Sequence, residues 1–198
     1  MDSKAAMTDD EVLDALKAAD AIRHGHFALT SGRHSDTYVQ CARILEDPAL
    51  TTKLAQTAVS RLPQGLDIDL VAAPAVGGLI IGFAVAQALG VRFIFSEREQ
   101  GAMVFRRAFE VPSGARVLVV EDVVTTGGSV AEVISLVEDA GGEVVGVVSL
   151  IDRGGEKKFD AAFWPLLKLE VESWPPESCG LCASGTPIYS PGSRRLSR

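Results

Sequence analysis

The 198-residue chain is short of several residue types, and each shortage removes a class of protein. It has three cysteines, Cys41, Cys179 and Cys182, too few for a secreted module held by disulfides and in keeping with a reduced, cytoplasmic protein. Aromatic side chains are sparse beside 19 glycines, which points to tight turns and small-residue packing. Basic residues are outnumbered, giving a formal charge of −7 that disfavours nonspecific binding to nucleic acid or to an acidic membrane. Lysine is the scarcer base, 6 against 13 arginines, and the rigid guanidinium fork suits a local phosphate or carboxylate site. Long apolar runs are also rare. Residues 1–7 are polar and alanine-rich with no apolar signal segment behind them, and only Leu70–Ala86 is long and free of charge. Pro74 and Gly77-Gly78 interrupt that run, so it reads as a buried strand, a glycine turn and a buried helix, with no membrane span.

What is present is a rhythm of short β-branched runs separated by helical stretches. Thr8 and Glu11 form a capping box for a helix predicted over about 9–23, and Asp47-Pro48 start another carrying Leu50, Leu54, Ala58 and Leu62 inward. Residues 25–42 predict two short strands around a polar turn. Ile68–Ala73, Val91–Phe95, Arg116–Val120 and Val144–Ile151 read as strands, with helices at 78–89 and 129–140 and a further strand at Leu166–Leu169. The strands lack clean alternation, as expected where helices cover both faces. The chain is therefore expected to be one α/β domain over 1–198, a mostly parallel central sheet flanked by helices. Residues 8–45 contribute a small N-terminal hood, and 172–198 an irregular, partly packed tail. The charged insertion 96–112 is read either as a solvated hairpin or as a mobile lid over a ligand.

The strongest chemical signal is the sequence Val117 to Ser129. A buried strand delivers Glu121 and Asp122 to its C-terminal edge, where ligands sit in open α/β sheets. Val123, Val124, Thr125, Thr126, Gly127, Gly128 and Ser129 follow and lead into a helix that Ser129 and Glu132 are expected to cap. Loop N–H groups and a helix N-terminus hold a phosphate well. The acids suit ribose hydroxyls, or water and a metal that the ligand carries. No Lys follows Gly128 and the dinucleotide glycine spacing is missing, which excludes two other phosphate loops. The alternative is a glycine-softened strand–helix connection. Ala75, Val76 and Gly77 form a second peptide loop suited to face a diphosphate, or simply a tight turn.

The acid pair with Thr-Thr-Gly-Gly-Ser resembles the ribose-5-phosphate signature of type I phosphoribosyltransferases. Leu29-Thr30-Ser31-Gly32-Arg33-His34-Ser35 and Ser149-Leu150-Ile151-Asp152-Arg153 resemble the orotate phosphoribosyltransferases in particular, and Cys179-Gly180-Leu181-Cys182 through Pro191-Gly192-Ser193-Arg194 resembles one branch of them. The resemblance implies the corresponding fold and a Mg²⁺-dependent transfer from 5-phosphoribosyl 1-diphosphate to orotate, with the ion carried mainly by the diphosphate. It implies that residues 125–129 hold the 5-phosphate, that Glu121 and Asp122 meet the ribose hydroxyls, and that Thr125 and Arg153 lie at orotate. Arg33 would frame the base pocket. Arg98 would sit on a flexible catalytic loop reaching a diphosphate on the neighbouring subunit of a homodimer. Thr30 and Val76 stand where many members carry Lys, which keeps two alternatives open: transfer to a purine base, or a nucleotide-sensing regulator.

Displacement of diphosphate builds positive charge on ribose and negative charge on the leaving group, so arginines outrank any nucleophile. Arg98, Arg106, Arg107 and Asp122 are accordingly the expected catalytic residues, with Gly101 letting the loop bend. His34 is read as a structural or pocket-edge residue, and His24 and His26 as a partly exposed turn; no metal-ligand set of the chain's own is expected. Cys179-x-x-Cys182 is read as a tight reduced turn holding the tail. A zinc site would need two more ligands, from a dimer or with Cys41 approaching, and redox activity is the third reading.

Overall fold

The computed structural model describes residues 6–29 and 31–191. Thr30, the first residues of the leader and the Gly192–Arg194 end of the resemblance lie outside them. Helix α1 (Asp9–Ala18) begins at the expected capping box: Glu11 N–H donates to Thr8 Oγ1 at 3.3 Å and Thr8 N–H to Glu11 Oε2 at 2.9 Å. It stops earlier than the apolar spacing suggests. Asp20 adopts φ +52°, which breaks the helix, and Ile22 and Arg23 enter a strand instead. That strand, β1 (Ile22–Ala28), pairs antiparallel with β2 (His34–Val39) in a separate two-stranded sheet. The hairpin is the hood proper, because α1 and α2 (Ala42–Leu45) pack into the main core through Val12, Leu16, Ile44 and Leu45.

Asp47 caps α3 (Pro48–Ser60) by accepting from the N–H groups of Ala49 and Leu50. The main body then follows as β3 (Leu70–Pro74), α4 (Gly78–Leu89), β4 (Arg92–Glu99), β5 (Ala102–Phe105), β6 (Arg116–Val124), α5 (Gly128–Asp139), β7 (Glu143–Asp152) and β8 (Phe163–Lys168). The sheet order is β5-β4-β3-β6-β7-β8, parallel throughout except for β5 against β4. The apolar run from Leu70 thus resolves into strand, turn and helix, and no helix among the described residues is long and apolar enough to cross a membrane.

Two cores explain the missing alternation in the strands. Val71, Leu118, Val120, Val148 and Leu150 face α1, α3 and α4, whereas Leu70, Ala72, Val117, Val119 and Val147 face α5. Each strand therefore needs apolar residues on both sides. After β8 the chain passes through a 3₁₀ turn (Pro176–Ser178) and a short helix, α6 (Gly180–Ala183), so the tail has more regular structure than its prolines and glycines suggest. It also laces the hood. Trp174 exchanges backbone hydrogen bonds with His34 on β2, and Tyr189 does so with His26 and Ala28 on β1. Tyr189 remains 56% exposed while packing edge-on against Phe27.

Candidate active site

Strand β6 runs four residues past the predicted end, so Glu121 and Asp122 lie within it, near its C-terminal edge. Pairing with Ser149, Ile151 and Asp152 of β7 carries it on through Val124. Here a cavity of about 520 Å³ opens between the sheet edge, the hood and the segment after β8. One wall is the predicted phosphate loop: Val123, Val124, Thr125, Thr126, Gly127, Gly128 and Ser129 all line it. The opposite wall joins Leu29, Ser31 and Arg33 of the hood to Val171 and Ser173. Arg153, just past β7, completes the lining.

The loop presents unspent donors. Helix α5 starts from Gly127 at φ +74° with no side-chain cap, so the first N–H groups of the helix lack intrahelical acceptors, and Gly127 through Val130 line the cavity. The expected cap fails because Glu132 is engaged elsewhere, accepting from Arg98 at 2.8 Å and from the Met103 N–H at 3.2 Å. A β-carbon on Gly127 would lie 2.4 Å from Phe159 Cε1, so both the backbone conformation and the space demand glycine. The β7–β8 connection braces the loop from behind. Lys157 Nζ donates to the Thr125 carbonyl at 2.9 Å and to Asp152 Oδ1 at 2.7 Å, and the Lys158 N–H donates to the Thr126 carbonyl at 2.8 Å. Lys157 and Phe159 escaped the sequence reading. The glycine pair Gly154-Gly155 at a strand end, a second turn like 127–128, was the signal for them.

The two acids occupy different surroundings. Glu121 is buried and lines the cavity. Burial, with the neighbouring Asp122 charge behind it, pushes its carboxyl well above the ordinary range. The Asp122 carboxylate accepts from the Val123 N–H at 2.7 Å and abuts the 75–77 turn: a β-carbon on Gly77 would lie 2.6 Å from its Oδ1. Gly77 therefore packs on Asp122, and neither Asp122 nor Ala75, Val76 and Gly77 lines the cavity; Val76 is 80% exposed. Cys41 is buried beside the Asp122 carbonyl and does not join Cys179 and Cys182, which closes one of the two expected sources of further zinc ligands.

Arg153 is the distinctive charged group of the lining. Its Nε is buried with no hydrogen-bond partner among the described residues. Burial draws its pKa down, opposed by nearby Tyr38. An orphaned buried donor costs about 1–3 kcal/mol, more when charged, which an anionic ligand would recover. Arg33 is placed differently. Its guanidinium donates to Ser173, to the hydroxyl at 2.9 Å and to the carbonyl, and so fastens hood to tail along the cavity wall.

The insertion 96–112 is a docked hairpin. β4 and β5 meet at a Gln100–Gly101 turn, and Met103 is buried. Its arginines are brought together with acids, not with the cavity: Arg98 with Glu132 at 2.8 Å, Arg106 with Glu99 at 3.6 Å, and Arg107 with Glu97 at 3.0 Å. Such exposed pairs contribute about 0–1 kcal/mol each, so these arginine side chains are held lightly.

Comparison with known proteins bears on this geometry. The family described as "Phosphoribosyl transferase domain" matches residues 40–178. Orotate phosphoribosyltransferase of Heliobacterium modesticaldum is 50% identical over 190 residues, covering 95% of this chain and 100% of that protein. That of Acidithiobacillus ferrooxidans is 47% identical over 195 residues, covering 96% and 100%. The crystal structure of orotate phosphoribosyltransferase from Aeropyrum pernix aligns with a TM-score of 0.71 at 27% identity, over 80% of this chain and 94% of that one.

Proposed function

The chain belongs to the type I phosphoribosyltransferase family, in its orotate branch, and on that premise we propose how its residues divide the work. The reaction transfers 5-phosphoribosyl from 5-phospho-α-D-ribose 1-diphosphate to orotate, giving orotidine 5′-phosphate and diphosphate in pyrimidine synthesis. One observation carries the assignment of roles: a single cavity is lined both by a loop with unspent N–H donors and by Arg153, whose buried Nε has no hydrogen-bond partner among the described residues. The loop 125–129 takes the 5-phosphate, Glu121 and Asp122 flank the ribose, and Arg153 meets the orotate carboxylate. Leu29, Val123 and Val171 supply apolar walls, and among the described residues no aromatic side chain lines the cavity to clamp a purine.

Mg²⁺ carried by the diphosphate would supply charge neutralisation at the leaving group. Such an ion takes oxygen ligands and keeps several waters. The hard oxygen donors of Glu121 and Asp122 fit contact through those waters. Arg98 completes the diphosphate site of a second subunit, with Arg106 and Arg107 adding positive charge; each must first leave its acidic partner. A homodimer is supported by an apolar stripe on α4, where Ile80 and Phe83 are more than half exposed beside Val76. Phe83, Phe93, Phe95 and Phe109 continue the stripe ring by ring to the hairpin. A second copy seated there would adjoin the loop it must receive.

A product assay offering orotate, uracil, adenine, guanine and xanthine with phosphoribosyl diphosphate tests the base assignment. Turnover confined to orotate is expected. Turnover confined to a purine would overturn it.

A further inference from the structure

Behind the hood wall lies a cluster that the transfer reaction does not use. His26, His34, Cys179 and Cys182 place one nitrogen or sulfur each within 4.8 Å of one another. His26 is buried within β1, contrary to the exposed turn expected of it, and His34 begins β2. The cysteines are free thiols flanking the start of α6. Two imidazoles from the hood thus meet two thiols from the tail, and the missing half of the cysteine site comes from the same chain.

We propose that these four side chains bind a structural zinc ion that clasps hood to tail. The donor spacing supports this. Tetrahedral Zn²⁺, with bonds of about 2.0–2.1 Å to nitrogen and about 2.3 Å to sulfur, sets nitrogens about 3.3 Å apart and nitrogen and sulfur about 3.6 Å apart. His26 Nε2 and His34 Nδ1 are 3.2 Å apart. Three of the four nitrogen–sulfur distances are 3.5 Å (His26 to Cys179), 3.7 Å (His26 to Cys182) and 3.3 Å (His34 to Cys182), and the fourth is within 4.8 Å.

Proton accounting points the same way. His26 Nδ1 lies 2.8 Å from the Thr186 carbonyl, which can only accept, so Nδ1 carries the hydrogen. In the neutral ring Nε2 is then a lone pair, and it faces three neighbours at once: His34 Nδ1 and both sulfurs. One lone pair cannot serve three hydrogen bonds, but four donors converging on a cation satisfy every atom. An N–H tied to a backbone carbonyl is also the usual outer support of a metal-ligating histidine. Two sulfurs and two nitrogens select zinc over hard cations. Four protein ligands leave no open position, so the ion is structural and separate from the Mg²⁺ of the reaction.

The test is metal analysis of the full chain, expressed with zinc and purified reduced without chelator, followed by cobalt titration of the stripped protein. About one zinc per chain is expected, with tetrahedral Co²⁺ bands and a thiolate charge-transfer band saturating at one equivalent. Cys182→Ser should lower the charge-transfer intensity and weaken zinc binding at least tenfold, whereas His24→Ala, outside the cluster, should leave both unchanged. Zinc below a quarter equivalent, with no thiolate band on titration of the wild-type chain, would overturn the site. Undiminished zinc in the Cys179→Ser/Cys182→Ser double variant would overturn it as well, by placing the metal elsewhere.

Discussion

Arg153 and Asp69 show how differently two charged residues of one sheet behave. Arg153 keeps a buried donor unpaired, and a carboxylate ligand is what would complete it. A hydrogen bond to a charged group is worth roughly 1.5–3 kcal/mol, and about 1.4 kcal/mol is tenfold in affinity. Arg153→Ala should therefore weaken orotate binding on the order of 10- to 100-fold while leaving phosphoribosyl diphosphate binding nearly intact, as calorimetric titration of each ligand would show. The opposite pattern would remove its role in base recognition. Asp69, at the far end of the sheet, is fully paired: its carboxylate accepts from the Arg116 N–H, Nε and Nη2, all at 2.9 Å. Those bonds hold its pKa at about 2. A depressed carboxylate contributes stability above its unfolded value, near 3.8, and loses it as pH falls through about 2. Asp69→Asn should accordingly melt below wild type at pH 7, with the gap closing between about pH 4 and 2 and shrinking in salt at neutral pH. A gap independent of pH would show that packing, not charge, is what the aspartate supplies.

Among the elements, those governed by neighbours in sequence were legible and those governed by distant partners were not. The capping box at Thr8, the Asp47-Pro48 start and the α4 boundaries need only local residues, and the structure reproduces them. Residues 123–129 line the cavity; the strand-to-helix passage through Gly127 and Gly128 is a local pattern, whereas its bracing by Lys157 and Phe159 is not. Glu132 reads locally as a capping partner, yet it holds Arg98 and Met103 from 34 and 29 residues away. The extension of β6 through Val124 depends on β7, so the position of the acids within a strand was invisible. The loop arginines looked free from composition; their acidic partners on β4 and α5 become neighbours only after the hairpin folds. His26 could not be linked to Cys179 from a spacing of 153 residues.

For the whole molecule, the shared-site arrangement makes a quantitative prediction. If the hairpin of one subunit serves the other, mixing inactive Arg98→Ala chains with inactive Asp122→Asn chains should restore about a quarter of wild-type activity after subunit exchange. Half the dimers are then hybrids, and each hybrid carries one intact site. No recovery, with exchange verified by mass spectrometry, would place the loop at its own subunit's site. The lacing of the hood by the tail has a consequence in time. The hairpin at residues 22–39 leaves the ribosome well before its strand partners Trp174 and Tyr189. At roughly 5–20 residues per second, the 153 residues between His26 and Cys179 take about 8–30 s to synthesise. Throughout that interval the nascent hairpin has both edges unpaired and its base-side wall unbuilt. The sheet and the 123–129 loop can assemble before then, whereas the cavity wall built from Leu29, Ser31, Arg33, Val171 and Ser173 closes only once the segment after β8 has emerged.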